Sequence, residues 1–357
     1  MLGYIGIFVG PLCSVCVLLH VQGLAWPKDW PYGKRCLAAL PFALVNLFLM
    51  RDVFSTPWML CVFLSLTLAA VDIFAWVLRP VDKKRVLSRL KRHGLAFFLA
   101  LLVCAYGLLN MRLVRMTEYT LETDKFPGTM RLGLLSDIHL GCSLDADDVS
   151  EQVDRLSDAG ANIIIFAGDV VDERTEEAEF ERLCDLLSEK QAPMVYVFGN
   201  HDANGISRSV ICEQLEDAGV RVLQDARTFL FGNFCVIGRS EAGRSRLTEN
   251  SLLRGLNESV YTVMIDHQPA RTRECAQAGV DLLLAGHTHN GQIWPVNIIS
   301  EILHINEIEY GHKTIGTMDA IVSSGASGWR CAVRTAGHSE CVLITINGNI
   351  SSESCEI

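Results

Sequence analysis

Residues 131–139 read RLGLLSDIH, 162–172 NIIIFAGDVVD, 193–202 PMVYVFGNHD, 261–269 YTVMIDHQP and 282–290 LLLAGHTHN. Each stretch opens with a short apolar run that reads as a buried strand, and each ends in a cluster of Asp, His or Asn. The polar clusters therefore fall where strands end. In an α/β sheet, that rim is where loops from neighbouring strands converge on one ligand. Helical patterns over 145–159, 173–190, 207–218 and 269–278 alternate with the runs, so the fold class is α/β. Glycines at 168, 199, 286 and 291 fit tight turns beside a bound group.

The clusters offer oxygen and nitrogen donors for two metal ions. Carboxylate and imidazole without thiolate suit Mn, Fe or Zn, and a two-metal site is a device for activating water against a phosphorus centre. A lone histidine is more often a surface or core residue than a ligand. Here five of the ten histidines, at 139, 201, 267, 287 and 289, fall in the clusters. The ordinary reading holds for His20, His93, His304, His312 and His338. Asp172 and Asp202 stand beside helix starts, where a carboxylate is commonly a cap, so a structural role competes with a functional one for both.

With the motifs D-x-H, G-D-x-x-D, G-N-H-D, H-x-P and G-H-x-H in this order, residues 130–345 resemble the calcineurin-like metallophosphoesterase superfamily. The resemblance implies a four-layer α/β/β/α sandwich, with two mixed sheets face to face and helices outside. Carried over block by block, it implies Asp137, His139 and His289 on one ion, Asn200, His267 and His287 on the other, and Asp169 bridging the two. His201, beside Asn200 but not itself a ligand, would face the substrate as general acid or transition-state stabiliser. Asp202 would orient its ring, and Asp172 would support the site from behind the ligands. Residues i and i+2 of an extended segment project to the same side, so Asp137 and His139 are expected to grip one ion from extended backbone. A bridging carboxylate leaves two ions about 3.5 to 4 Å apart, with a hydroxide between them as nucleophile.

Within the superfamily, the chain looks closest to bacterial membrane-anchored phosphoesterases that act outside the cytoplasmic membrane, some of which cleave lipid-linked pyrophosphates. Four features carry that likeness: the short path from the last apolar run to Asp137, Gly291-Gln292 after the histidine pair, the SSGASGW tail at 323–329, and Arg334. Asn290 departs from it, standing at the pocket's edge where glycine is usual.

The first third of the chain is different material. Residues 4–26 carry no charge, and 36–50, 57–78 and 94–111 are nearly as apolar. Three of these runs are long enough to cross a hydrocarbon core of about 30 Å, which takes about 20 residues; the 36–50 run, interrupted by Pro41, is short. Residues 1–115 thus read as an all-α transmembrane region of three to four helices, 116–129 as a polar connector or edge strand, and 130–357 as the catalytic domain. The first run lacks the basic start and small-residue cleavage site of a signal peptide and reads as retained. Arg79, Lys83, Lys84, Arg85, Arg89, Lys91 and Arg92 face only Asp82 in one loop, which the positive-inside rule makes cytoplasmic. Arg112 and Arg115 argue weakly the other way. The expectation is a multi-pass membrane protein with its catalytic domain outside the cytoplasm.

Residues 1–115 hold 13 Lys or Arg against 4 Asp or Glu, and the remainder 18 against 37. So acidic a domain is a poor partner for polyanions, which disfavours nucleic acid. Part of the excess is Glu173–Glu189, read as solvated helix surface. Of 13 cysteines, the eight outside the apolar runs show no C-x-x-C spacing, and their pairing is open. The reading is an enzyme hydrolysing a phosphoester or pyrophosphate of a lipid or envelope precursor. Its alternatives are a tethered enzyme on soluble phosphoesters and an inactive binding protein on the same fold.

Overall fold

The computed structural model describes residues 2–22, 29–50, 55–77, 89–230 and 232–349. The chain divides into two compact units, Met1–Leu109 and Asn110–Ile357. The first holds helices α1 (Leu2–Gln22), α2 (Tyr32–Leu49), α3 (Thr56–Val77) and most of α4 (Arg89–Arg112). Among the described residues, two stretches are long and apolar enough to cross a membrane, Thr56–Phe74 and His93–Arg112; Val9–Val21 is a shorter apolar helix. α2 continues through Pro41 as one helix. Where α1 meets α2, the Ser14 hydroxyl donates to Asn46 Oδ1 at 3.0 Å, so the polar groups of these helices partner one another. Residues 78–88, most of the basic loop, lie outside the described residues.

The second unit contains two six-stranded sheets. One orders β1 (Arg115–Thr123), β12 (Glu340–Asn349), β2 (Pro127–Leu135), β3 (Ile163–Phe166), β4 (Met194–Val197) and β5 (Val220–Leu223). The other orders β10 (Gly311–Ile315), β11 (Met318–Val322), β9 (Leu282–Ala285), β8 (Tyr261–Ile265), β7 (Phe234–Gly238) and β6 (Ala226–Leu230). Helices α5 (Ala146–Asp158), α6 (Glu177–Ser188), α7 (Arg208–Asp217), α8 (Glu249–Leu253), α9 (Thr272–Ala278) and α10 (Val296–Ile302) complete it.

The apolar runs are buried on both faces, and their alternate residues feed different cores. Leu132, Leu134, Ile163, Ile165, Val195 and Val197 meet Val236, Val263, Ile265, Leu282 and Leu284 of the other sheet in one shared cluster. Leu135, Ile164, Phe166, Met194 and Tyr196 turn the other way, onto Val149, Val153, Leu156, Phe180, Leu183, Ile211 and Leu215 of α5, α6 and α7. Cys235, Ile237, Met264 and Leu283 pack with Leu252 and Cys275 of α8 and α9 on the outer face of the second sheet. Period-two alternation between two apolar environments is what four layers require. The expected α/β/β/α sandwich is therefore the observed one.

Helix ends follow local chemistry. Asp145 and Asp148 form a reciprocal capping box on α5, and Ser207 caps α7. Gly133 admits α5 against β2, since a Cβ there would stand 2.8 Å from Ile164 Cδ1 and 3.1 Å from Leu156. Two expected helices start later than their sequence patterns: α6 begins at Glu177 rather than 173, and α9 at Thr272 rather than 269. The displaced residues are loop, and Asp172 N bonds the Thr175 hydroxyl there at 3.0 Å.

The segment expected as connector or edge strand is mostly strand. β1 runs parallel to β12 from Arg115 to Thr123 at the edge of the first sheet, so the sheet starts three residues after α4. α4 itself ends inside the second unit. Met111 is fully buried, its carbonyl accepts the Ser339 hydroxyl at 2.7 Å, and Asn110 Nδ2 donates to the carbonyls of Gly337 (2.8 Å) and Arg334 (3.2 Å). Every cysteine among the described residues is a free thiol.

Candidate active site

Strands β2, β3 and β4 are mutually parallel, as are β7, β8 and β9. Parallel neighbours end on the same rim, so the loops after β2, β3, β4, β8 and β9 converge. Backbone hydrogen bonds lace them together: Asp137 N to Gly168 O (3.0 Å), His139 N to Asp169 O (3.0 Å) and Gly286 N to His267 O (3.0 Å). Glycine is required at two of these crossings. A Cβ on Gly168 would stand 2.6 Å from His267 Nδ1 and 2.7 Å from Gly199 N, and one on Gly286 would overlap the side chains of Ser136 and Asp137.

Two groups of potential ligands result, Asp137 with His139 and His289, and Asp169 with His267 and His287; within each, the donor atoms lie within 4.8 Å of one another. Asp169 also approaches the first group. Its Oδ2 stands 3.0 Å from His267 Nε2 and 4.0 Å from His139 Nε2, while its Oδ1 accepts the His201 N–H at 2.7 Å. Asn200 sits beside the second group, where its Oδ1 accepts from Gln268 Nε2 at 3.2 Å.

The expected extended geometry is not what holds these residues. Asp137, His139, Asp169, His287 and His289 all have φ between 43° and 71°, in the left-handed region. A non-glycine residue there costs of order 1–3 kcal/mol and persists where surrounding structure over-determines it. Five such residues in one rim mean that the loops are bent to aim side chains inward, and the i, i+2 pairs converge through curled backbone.

The donor chemistry fits divalent cations. His139 Nδ1 donates to Asp172 Oδ2 at 3.1 Å and His267 Nδ1 to the Ala167 carbonyl at 2.8 Å, so each ring keeps Nε2 for the site. His267 Nε2 and His289 Nδ1 are buried without a hydrogen-bond partner. The Nε2 atoms of His139 and His289 face one another at 3.3 Å, and His289 Nε2 stands 3.4 Å from Asp137 Oδ1. Burial pushes His287 down to about 4 and His289 down to about 3, which keeps both imidazoles neutral, the form a metal needs. Burial alone would raise Asp169, yet His267, His139 and His201 around it hold its carboxyl well below the usual range. Against its burial, Asp137 is also held below the usual carboxylate range, with His267 among the groups beside it.

One expected role changes. Asp202 does not orient the His201 ring. It is fully buried, and its carboxylate accepts four backbone N–H groups, from Asp169 (2.8 Å), Val170 (2.8 Å), Val171 (3.0 Å) and Gly199 (2.6 Å). It is the clasp that curls the loop bearing Asp169. The carboxylate nearest the His201 ring is instead that of Glu173, which stays exposed at the surface with Oε2 3.4 Å from His201 Nδ1. Arg334 is fully buried and donates to the carbonyls of His289 (3.1 Å) and Ser327 (2.6 Å), fixing the histidine loop.

Asp172 stands beside His139, and Asn290 continues the left-handed turn at φ 47° with its N–H on the Thr288 hydroxyl. Asp266, in the same block as His267, turns from the site to Arg239 (2.9 Å) and Arg246 (3.1 Å). Arg239 also pairs with the buried Glu249 at 2.8 Å. No motif spacing points to Arg239, Arg246 or Glu249, which anchor the β8 loop from 17 to 27 residues upstream.

Asp202→Ala is expected to lower stability rather than touch proton transfer, because each backbone donor left unsatisfied costs about 1–3 kcal/mol. Thermal unfolding of the metal-free protein should show a large drop in midpoint, with Asp202→Asn milder. An unchanged midpoint with slowed turnover would return Asp202 to a role on His201.

A rim of carboxylates and imidazoles in two linked groups is the equipment of a metal-dependent hydrolase. The model of the calcineurin-like phosphoesterases matches residues 130–291. An uncharacterized metallophosphoesterase of Aquifex aeolicus is 31% identical over 265 residues, covering 70% of this chain and 98% of the relative. A transmembrane protein with metallophosphoesterase domain of Danio rerio is 24% identical over 247 residues, covering 63% of this chain and 56% of the relative. Among solved structures, a dimetal phosphatase from Danio rerio aligns at 12% identity with a TM-score of 0.40, covering 61% of this chain and 92% of that one. The chain belongs to the calcineurin-like phosphoesterase family and is a metal-binding phosphoester hydrolase.

Proposed function

We propose a membrane-anchored phosphoesterase with two divalent ions, held by Asp137, His139 and His289 on one side and by Asn200, His267 and His287 on the other, with Asp169 shared. The observation that supports this reading is Asp169 Oδ2, which approaches His267 Nε2 at 3.0 Å and His139 Nε2 at 4.0 Å, one ring from each group. Bound divalent ions of the Mn, Fe or Zn type supply a hydroxide nucleophile at neutral pH and offset charge on the phosphoryl oxygens. His201 donates the proton to the leaving oxygen, with the Glu173 carboxylate 3.4 Å from its Nδ1. Asp172 and the Ala167 carbonyl keep His139 and His267 in their ligating tautomers.

The substrate we infer is a phosphorylated lipid or envelope precursor, carried on a phosphoester or pyrophosphate. Two helices long and apolar enough to cross a bilayer support it, as does an acidic domain ill suited to nucleic acid. Full-length protein should be assayed against phosphomonoesters, phosphodiesters and lipid pyrophosphates with added Mn²⁺, above and below the detergent level that disperses lipid. Hydrolysis that favours the lipid substrates supports the reading. Indifference to the lipid would leave a tethered enzyme on soluble esters, and two bound metals without hydrolysis of anything would leave an inactive fold.

The chain is further proposed to cross the membrane more than once, with its catalytic domain outside the cytoplasm, from the seven basic residues between Arg79 and Arg92. Protease added to spheroplasts is expected to digest the catalytic domain and spare that loop. Protection until lysis would reverse the orientation and favour a cytosolic phosphoester.

A further inference from the structure

The catalytic unit keeps its apolar side chains inside, with one concentrated exception. Trp294 is 61% exposed, Ile302 69%, Leu303 65% and Ile305 63%, and Val296, Ile298 and Ile299 stand beside them, also exposed. From Asn110 to Asn349, the other large apolar residues as exposed among those described are isolated: Leu113, Phe229 and Leu247. A contiguous apolar patch of this kind marks an interaction surface.

The patch is the outer face of a segment whose inner face is firmly seated. Ser300 is buried and its hydroxyl donates to Glu309 Oε1 at 2.6 Å, and Asn297 lies so close to Gly291 that a Cβ there would stand 2.5 Å from Asn297 N. Gly291 closes the turn that carries His287 and His289. The patch is therefore attached directly to the metal-site loop.

Its root also meets the end of the apolar helix α4. Trp294 N donates to Thr335 Oγ1 at 3.0 Å, and Thr335 N donates to the Gln292 carbonyl at 2.9 Å. The same strip of chain, through the carbonyls of Arg334 and Gly337, accepts both hydrogen bonds of Asn110, in the last turns of α4. Residues 334–337 are thus held on one side by the root of the patch and on the other by Asn110.

We propose that residues 294–305 form a bilayer-docking surface, inserting Trp294, Ile302, Leu303 and Ile305 into the lipid from which α4 emerges. An amphipathic segment with Trp, Ile and Leu on one face lies in the membrane interface in this way. Docking sets the His287–Gly291 loop at headgroup level, where phosphate esters of lipids reside. The inference rests on the membrane reading of α3 and α4, and not on the identity of the substrate.

The test uses full-length protein in phosphatidylcholine nanodiscs containing a phosphatidylcholine with a photoactivatable diazirine on its acyl chain, with adducts mapped by mass spectrometry. Adducts are expected on peptides covering 294–305 as well as on α3 and α4. In I302E/L303E the 294–305 adducts should vanish, while metal content and hydrolysis of a soluble chromogenic phosphodiester stay at the parent level. Labelled α3 and α4 with unlabelled 294–305 would overturn the docking surface, including the case in which protein–protein crosslinks show a second copy covering it. Unlabelled α3 and α4 would overturn the membrane reading and the docking surface with it, a failure these helices tell apart from the first.

Discussion

Asp169→Asn is expected to strip metal from the protein and reduce turnover to background. The substitution is nearly isosteric, so the Asp202 clasp, which holds the backbone N–H groups of residues 169 to 171, should survive it. What disappears is the one negative charge that the proposed bridge would share, its Oδ2 lying 3.0 Å from His267 Nε2 and 4.0 Å from His139 Nε2. Removing an outer partner of a ligand costs roughly 10- to 100-fold in metal affinity, and a shared ligand should cost more than that. Metal content by plasma emission and turnover on a chromogenic phosphodiester should fall together. Wild-type occupancy with normal turnover would reject the bridging role.

His201→Ala should separate ligation from proton transfer. His201 lies beside the ligand groups without joining either: its ring is 5.5 Å from that of His139 and 5.3 Å from Trp329, and Nδ1 faces Glu173. That leaves the opposite ring nitrogen for a leaving group. Both metals should stay bound, and turnover should drop by something like 10²- to 10⁴-fold, the usual contribution of general acid–base catalysis. Esters with good leaving groups need no proton and should suffer less. Glu173→Gln should reproduce the same leaving-group dependence more weakly, because it loosens the ring without removing it. Loss of metal in His201→Ala would make His201 a ligand instead.

The strands that carry ligands were legible because two local signals coincide. An apolar run and a polar cluster at its end are each read within about ten residues, and both are set by the same event, a buried strand reaching the rim of the sheet. Strands without ligands, such as β6 and β10 at the two edges of one sheet and β12 inside the other, offered only the first signal. Helix starts at α6 and α9 were placed too early because the carboxylates and hydroxyls before them serve the loops rather than the helices.

By itself, the sequence determined the α/β class, the five strand ends, and the set of carboxylates and imidazoles gathered there, because strand burial and donor chemistry are properties of short segments. Only the tertiary structure decided which donor faces which. Asp202, adjacent to His201 in sequence, is turned by burial onto four backbone N–H groups, and Glu173, 28 residues earlier, takes the place beside the ring. Arg334 became an internal tie of the histidine loop because the 323–339 segment packs over the site and encloses it. The left-handed backbone at Asp137, His139 and Asp169 arises the same way, since loops from separate strands impose it on one another and no neighbour in sequence demands it. The exposed face at 294–305 is likewise a tertiary fact. Its isoleucines read as any apolar run until the fold covers one side with Ser300 and Asn297 and leaves the other bare.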